Sequence, residues 1–203
     1  MTTRTPAIPI SESPAVMRLF EAAADAFAAK GFHATTTRDI ASRAGLSPAG
    51  VYVHFASKED LLYQLCREGH EVARDALAAA AAEAGSPTAA LSDVVGTFAR
   101  WHAEQHQVAK IVQYEFRHLT EDHRHEVLEL RREIDGIVTQ VIEAGVTSGD
   151  FSVTDPRATA LAVTSMAVDV ARWYHPGIRR TTPEQIGRTY GALALRLVGA
   201  RTA

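Results

Sequence analysis

Residues 35–58 read TTTRDIASRAGLSPAGVYVHFASK, and this stretch decides the fold. Thr36 and Asp39 stand at capping-box spacing, where a hydroxyl and a carboxylate satisfy the free backbone donors at a helix start. Ile40, Ala41 and Ala44 give that helix a small apolar face. Gly45 supplies the left-handed backbone that ends it. Ser47 caps a second helix with Pro48 at its first position, where no donor is needed. The pattern predicts this second helix over Ala49 to Phe55. Ser57 and Asp60 form the next capping box and open a long helix. Two short helices joined by a glycine turn are the sequence form of a helix-turn-helix, whose second helix enters a DNA major groove. Any small helical hairpin shares this outline, so the side chains carry the distinction. Thr37, Tyr52, His54 and Lys58 are polar or amphipathic groups placed where they reach phosphates.

The residues from Thr35 to Leu62 also follow the pattern T-T-x-R-D-I-A-x-x-A-G-L-S-x-x-x-V-Y-x-H-F-x-S-K-E-D-L-L without a gap. This resembles the DNA-binding signature of the TetR family of bacterial transcriptional regulators. The resemblance implies phosphate contacts from Thr36 or Thr37, from Tyr52, and from His54 and Lys58. It places Ser47, Ala49 and Gly50 where the family carries base-facing groups. There the chain departs from the pattern: a commoner S-K-G-T becomes Ser47-Pro48-Ala49-Gly50. Few side chains remain to hydrogen-bond base edges, which leaves apolar contact to a thymine methyl by Ala49, water bridges, and Arg38 or Arg43 as substitutes.

The charge distribution fits that reading better than the total does. The chain of 203 residues carries a net −3, unpromising for a nucleic-acid binder. Residues 1–58, however, hold six Lys/Arg against four acids, a local +2, and the remainder carries −5. A basic head on an acidic body is expected when only the head meets phosphate. At 46% hydrophobic and 22% charged residues, the composition is that of a globular protein with a sizeable core. No apolar run approaches the roughly 20 residues of a membrane helix, and MTTRTPAIPISES has no signal-like apolar core. The lone Cys66 excludes an internal disulfide and suits a reducing cytoplasm, the expected location.

Helical periodicity runs through the rest of the chain. Residues 1–13 read as a flexible tail, and Ser13-Pro14 opens a helix with Val16, Leu19, Phe20, Ala23 and Phe27 on one face, ended at Lys30-Gly31. Phe32, Phe55 and one face of Tyr52 are expected to complete the small core beneath it. The long helix from Ser57 fades through an alanine run to Gly85. Further apolar stripes lie at 91–102, 108–119, 127–141 and 161–172, Arg172 to Gln185 reads as a loop, and Thr182 with Gln185 caps a final helix. With no strand alternation and no repeat, the fold class is all-α: about nine helices, divided into a helix-turn-helix head at 14–58 and a helical-bundle body at 59–203.

One short recognition helix reads too few bases for a unique site, so a homodimer on a double-stranded operator is expected. The small residues of Ala158–Ala171 and of the final helix (Gly187, Gly191, Ala192, Ala194, Gly199) are the best candidates for its interface. The body interleaves bulky apolar and polar groups as a small-molecule site requires. Phe98, Trp101, His102, Val112, Gln113, Phe116 and Arg117 lie on adjacent helical faces, and Arg131, Ile134, Val168, Arg172 and Trp173 come from facing helices. An arginine on an apolar stripe needs an acid, and Arg172 and Arg131 have Glu115, Asp169 or a ligand's carboxylate or phosphate to choose from.

The resemblance implies a repressor released from DNA by a small hydrophobic effector. The stretch Arg172 to Gly177 followed by Thr182 to Ile186 resembles the subgroup that controls fatty-acid or steroid catabolism and responds to acyl-CoA thioesters. An antibiotic- or drug-responsive repressor of an efflux gene is the competing reading. No cofactor, metal or membrane partner is expected. His118, His123 and His125 lack metal-ligand spacing, and no nucleophile elbow, phosphate loop or other enzyme motif is present.

Overall fold

The computed structural model describes residues 13–176 and 181–200, and within them the chain forms nine α-helices. These are α1 (Pro14–Ala34), α2 (Thr37–Ala44), α3 (Pro48–Tyr52), α4 (Lys58–Glu83), α5 (Pro87–Glu104), α6 (His106–Tyr114), α7 (Glu121–Ser148), α8 (Pro156–Trp173) and α9 (Pro183–Leu197). A short 3-10 turn at Phe116–His118 joins α6 to α7. The all-α class read from periodicity is what the chain adopts. The tail with Arg4, and Gly177 to Arg180 of the expected loop, lie outside the described residues. Trp173, expected in that loop, is instead the last residue of α8, after Arg172.

The helix boundaries follow local chemistry. Gly31, at φ 74, breaks α1 after its first seventeen residues and leaves a terminal turn. Asp155 and Thr182 accept the backbone N–H of Ala158 and Gln185, capping α8 and α9. Gly145 in α7 has no room for a side chain: a Cβ there would sit 2.0 Å from the Phe151 ring, which folds back onto it.

The contacts divide the chain into two compact units. One comprises residues up to Val72 together with Gln107–Glu129, and the other comprises Ala73–His106 and the chain from Leu130 onward. The division between the two units falls inside α4 at residue 72. Residues 107–129 pack with the first unit. Periodicity could not assign them, because an apolar stripe states that a helix is covered but not by what.

The first unit is built on Leu19, Phe27, Ile40, Val51, Leu61 and Leu62, all at most 2% exposed. Phe20 meets Phe55 edge-to-face at 5.2 Å between ring centres. Tyr52, expected to turn one face into this core, is 54% exposed. In the second unit α5 and α9 pack backbone to backbone: Gly96 faces Gly187, and Gly191 faces Ser92. This corrects the expected role of Gly187 and Gly191, which serve the packing of α9 on α5 within the chain. Their small size is consumed by Gly96 and Ser92, and so is not available to a second subunit.

Candidate nucleic-acid interface and effector region

The capping box predicted for α2 is complete. Thr36 Oγ1 accepts from the Asp39 N–H at 3.1 Å, and Asp39 Oδ2 accepts from the Thr36 N–H at 3.0 Å. The Thr36 backbone and hydroxyl donors, helped by Lys30 at 3.3 Å, hold the Asp39 carboxyl down to about 2. Gly45 at φ 68 turns the chain, and its neighbour Leu46 donates to Ala41 O at 2.9 Å. Ser47 Oγ then accepts the Gly50 N–H at 3.1 Å and starts α3.

Helix α3 is shorter than the pattern suggested, ending at Tyr52. Beyond it His54 N–H and Phe55 N–H both go to Val51 O at 3.0 Å, tightening the turn. That turn carries Phe55 inward to Phe20 and leaves Val53 outward. Val51 and Phe55 are buried, whereas Ser47, Pro48, Ala49, Tyr52, Val53 and His54 are exposed. Arg38 and Thr36 are exposed on α2, and Thr37 and Gly50 half-buried. Thr37 Oγ1 lies 3.2 Å from the Tyr52 hydroxyl, so α2 steadies the ring that α3 presents.

Two residues depart from the sequence reading. Val53 was not singled out, although at 79% it is the most exposed large hydrophobic residue of the described chain. Its signal was present: Val51 and Phe55 are four apart and share the buried face, which puts residue 53 on the other side. Lys58, expected as a phosphate contact, also ties the fold together. Its Nζ donates to Phe32 O at 2.6 Å and to Thr35 O at 2.7 Å, and lies 4.2 Å from the Phe32 ring centre. Lys58 thereby closes the C-terminal end of α1, whose last carbonyls have no helical donor. Burial depresses the Lys58 pKa. Thr35, wholly buried, donates its hydroxyl to Gly31 O at 2.8 Å and reinforces the same end.

The residues expected to bind an effector are divided between the units. In the first, Val112 is buried, Gln113 and Phe116 half-buried and Arg117 exposed. In the second, Phe98, Trp101, His102 and Ile134 are buried, and Arg131, Val168 and Trp173 half-buried. Arg172 is not on an apolar stripe. It is exposed, and its guanidinium donates to both carboxylate oxygens of Asp169 at 2.6 and 2.8 Å. Of the three partners considered, Asp169 takes it. An open groove of about 540 Å³ in the second unit is lined by alanines of α4 with Pro87, Ile137, Gln140 and Val141. None of the expected effector residues lines it. Among the described residues no group of His, Cys, Asp or Glu is placed to hold a metal, and no helix is long and apolar enough to cross a membrane.

Residues 19–65 match the model for bacterial regulatory proteins of the tetR family, and residues 84–198 match that for tetracyclin repressor-like C-terminal domains. The chain belongs to the TetR family. Among its relatives is the HTH-type transcriptional repressor KstR2 of Rhodococcus jostii (strain RHA1), 31% identical over 179 residues, 87% of each chain. A solved TetR-family regulatory protein from Rhodococcus RHA1 superposes with a TM-score of 0.87 at 40% identity, covering 94% of this chain and 100% of that one. AibR, solved with isovaleryl coenzyme A and operator DNA, shares the fold at a TM-score of 0.80 and 19% identity, covering 92% of this chain and 100% of that one. The protein is therefore a DNA-binding transcriptional regulator of the TetR family and not an enzyme.

Within this TetR regulator, Tyr52 and Lys58 are expected to separate on substitution. Tyr52→Phe removes a hydroxyl from the exposed face and is expected to weaken every duplex alike, about threefold to tenfold, with the melting temperature unchanged. Lys58→Met removes two charge-assisted hydrogen bonds worth about 2 kcal/mol together. That lowers the melting temperature by roughly 5 °C. Fluorescence anisotropy on operator and non-operator duplexes, beside thermal unfolding, reads both. A Lys58→Met protein of unchanged melting temperature would contradict the structural role.

Proposed function

We propose that this TetR regulator is a cytoplasmic homodimeric repressor, released from its operator by a small hydrophobic effector, with an acyl-CoA thioester as the best match. The observation that carries the DNA half is the two-faced α3: Val51 inward, and Ala49, Tyr52 and Val53 outward with His54 beside them. Tyr52 and Thr37, with Thr36, Arg38 and His54, supply the phosphate contacts in this reading. Ser47, Ala49, Gly50 and Val53 supply the groove-facing surface, which is largely apolar and suited to thymine methyl groups. Lys58 retains one N–H at most for phosphate.

Dimerisation is supported by the apolar side chains left outward on the last two helices: Leu161 on α8 is 60% exposed, and Leu193 and Leu197 on α9 are 39% and 43% exposed. Large exposed apolar groups on neighbouring helices mark an interaction surface. The effector class is supported by AibR, a fold neighbour solved with isovaleryl coenzyme A. Helices α4 and α7 each run from one unit into the other, and so offer a route for the change. The effector must bind the DNA-incompetent arrangement more tightly, because equal affinity for both shifts nothing.

The test uses the duplex upstream of the protein's own gene, identified by gel shift. Decanoyl-CoA at saturation is expected to weaken binding at least tenfold, with coenzyme A alone inert. Release by ethidium and not by thioesters of any chain length moves the protein to the efflux-regulator reading. Tight binding under every effector sinks the release mechanism.

A further inference from the structure

Two adjacent, buried rings on α5 form an incomplete hydrogen-bonding pair. Trp101 is 3% exposed, and among the described residues its indole Nε1 is buried with no hydrogen-bond partner. Tryptophan nitrogen only donates, so the group needs an acceptor that the surrounding protein does not supply. Native interiors rarely leave such a donor unmet, and an unmade bond of this kind points to a missing water or guest. His102, also 3% exposed, has its Nδ1 2.9 Å from Phe98 O. A carbonyl only accepts, so Nδ1 carries the proton and Nε2 presents a lone pair. Burial lowers the His102 pKa to about 4, which keeps the ring neutral near pH 7. The two rings meet edge to face, 5.0 Å between centres, and the Phe98 ring flanks His102 at 4.4 Å.

We propose that Trp101 and His102 are the polar anchor of the effector site, and that they select a neutral group bearing both an acceptor oxygen and an N–H or O–H over a carboxylate. This rests on the effector reading above and narrows it. The indole N–H takes the guest's oxygen, and the imidazole Nε2 takes its N–H or O–H. A carboxylate satisfies the first and opposes the second, since it brings a negative charge against a lone pair in a buried site. A pantetheine thioester offers a carbonyl oxygen and, along its arm, amide N–H groups. The regulator would then respond to an acid only after its carboxylate has been converted to a thioester, and so to the product of an acyl-activating reaction and not to its substrate.

Calorimetric titration of the full-length protein at pH 7.5 with decanamide, decan-1-ol and decanoic acid tests this. The amide and the alcohol are expected to bind at least tenfold more tightly than the acid. Trp101→Phe, which keeps the ring bulk and removes the donor, is expected to cost the amide about tenfold. His102→Phe is expected to abolish the preference for amide over acid. Decanoic acid binding as tightly as decanamide, or an unchanged amide affinity in Trp101→Phe, overturns the anchor while leaving thioester release of the operator intact. Failure of all three probes to bind the wild type also overturns it, and the decanoyl-CoA release assay then judges the effector reading by itself.

Discussion

Gly191→Ala is expected to be among the most destabilising single-methyl substitutions in this protein. A Cβ at this position would lie 2.6 Å from Ser92 O and 2.9 Å from Ser92 Oγ. The nearer atom is backbone in the middle of α5, so no rotamer change relieves the clash, and α9 must move away from α5. Overpacking of this kind costs about 1–3 kcal/mol and occasionally more. Replacing a helical glycine by alanine would by itself gain up to about 1 kcal/mol, so the contact must overcome that as well. A net loss of about 1–2 kcal/mol corresponds to a melting temperature lower by roughly 2–8 °C. Gly136→Ala in α7 is the opposite case, because nothing lies within 4 Å of its added methyl. It is expected to stabilise by about 0.5–1 kcal/mol. Thermal unfolding of the two variants beside the wild type should therefore give shifts of opposite sign. Equal shifts would refute the close approach of α5 and α9.

The second large effect is on acid stability. His102 has a folded-state pKa of about 4, lowered from 6.5 chiefly by burial and only partly offset by its bond to Phe98 O. The unfolded chain therefore binds this proton more readily than the folded one. Stability from this group is fully present above pH 6.5 and is lost progressively as pH falls to about 4. Over that window the loss is on the order of 3 kcal/mol. Other groups titrate nearby with both signs. Glu68 and Asp135 have raised pKa values through burial and favour the fold on acidification. Asp39, held to about 2, loses its contribution only below the ordinary aspartate range. The wild type must therefore be compared with His102→Phe, a ring of similar shape that cannot titrate. The Phe98 carbonyl keeps its helical partner, the residue-102 N–H, in the variant. Between pH 6.5 and 4.5 the wild type is expected to lose several degrees more than the variant. Parallel curves would show that His102 is not the buried neutral ring described above.

The parts of this protein legible before folding are those whose partners lie within one helical turn. The Thr36–Asp39 box, the Ser47 cap, the left-handed Gly45, the Asp155 cap and the Thr182–Gln185 box each close a backbone group no more than four residues away. Short-range closure leaves a short-range pattern, so helix starts, the two-helix head and the all-α class follow from the order of residues.

Tertiary structure decided which side chains remain for DNA or ligand and which are consumed by the fold. Lys58 looks like a phosphate contact and nothing more until Phe32 and Thr35, 26 and 23 residues earlier, supply two carbonyls for its ammonium. Gly187 and Gly191 suit a subunit interface until Gly96 and Ser92 are found against them. Residues 107–129 show an apolar stripe in sequence, and only their contacts say what covers it. Trp101 reads as one effector-site candidate among several, and only the surrounding atoms reveal that its N–H lacks an acceptor. The physical reason is common to all four: residue type states what a group can bind, but the partner is distant in sequence and becomes a neighbour only when the helices pack.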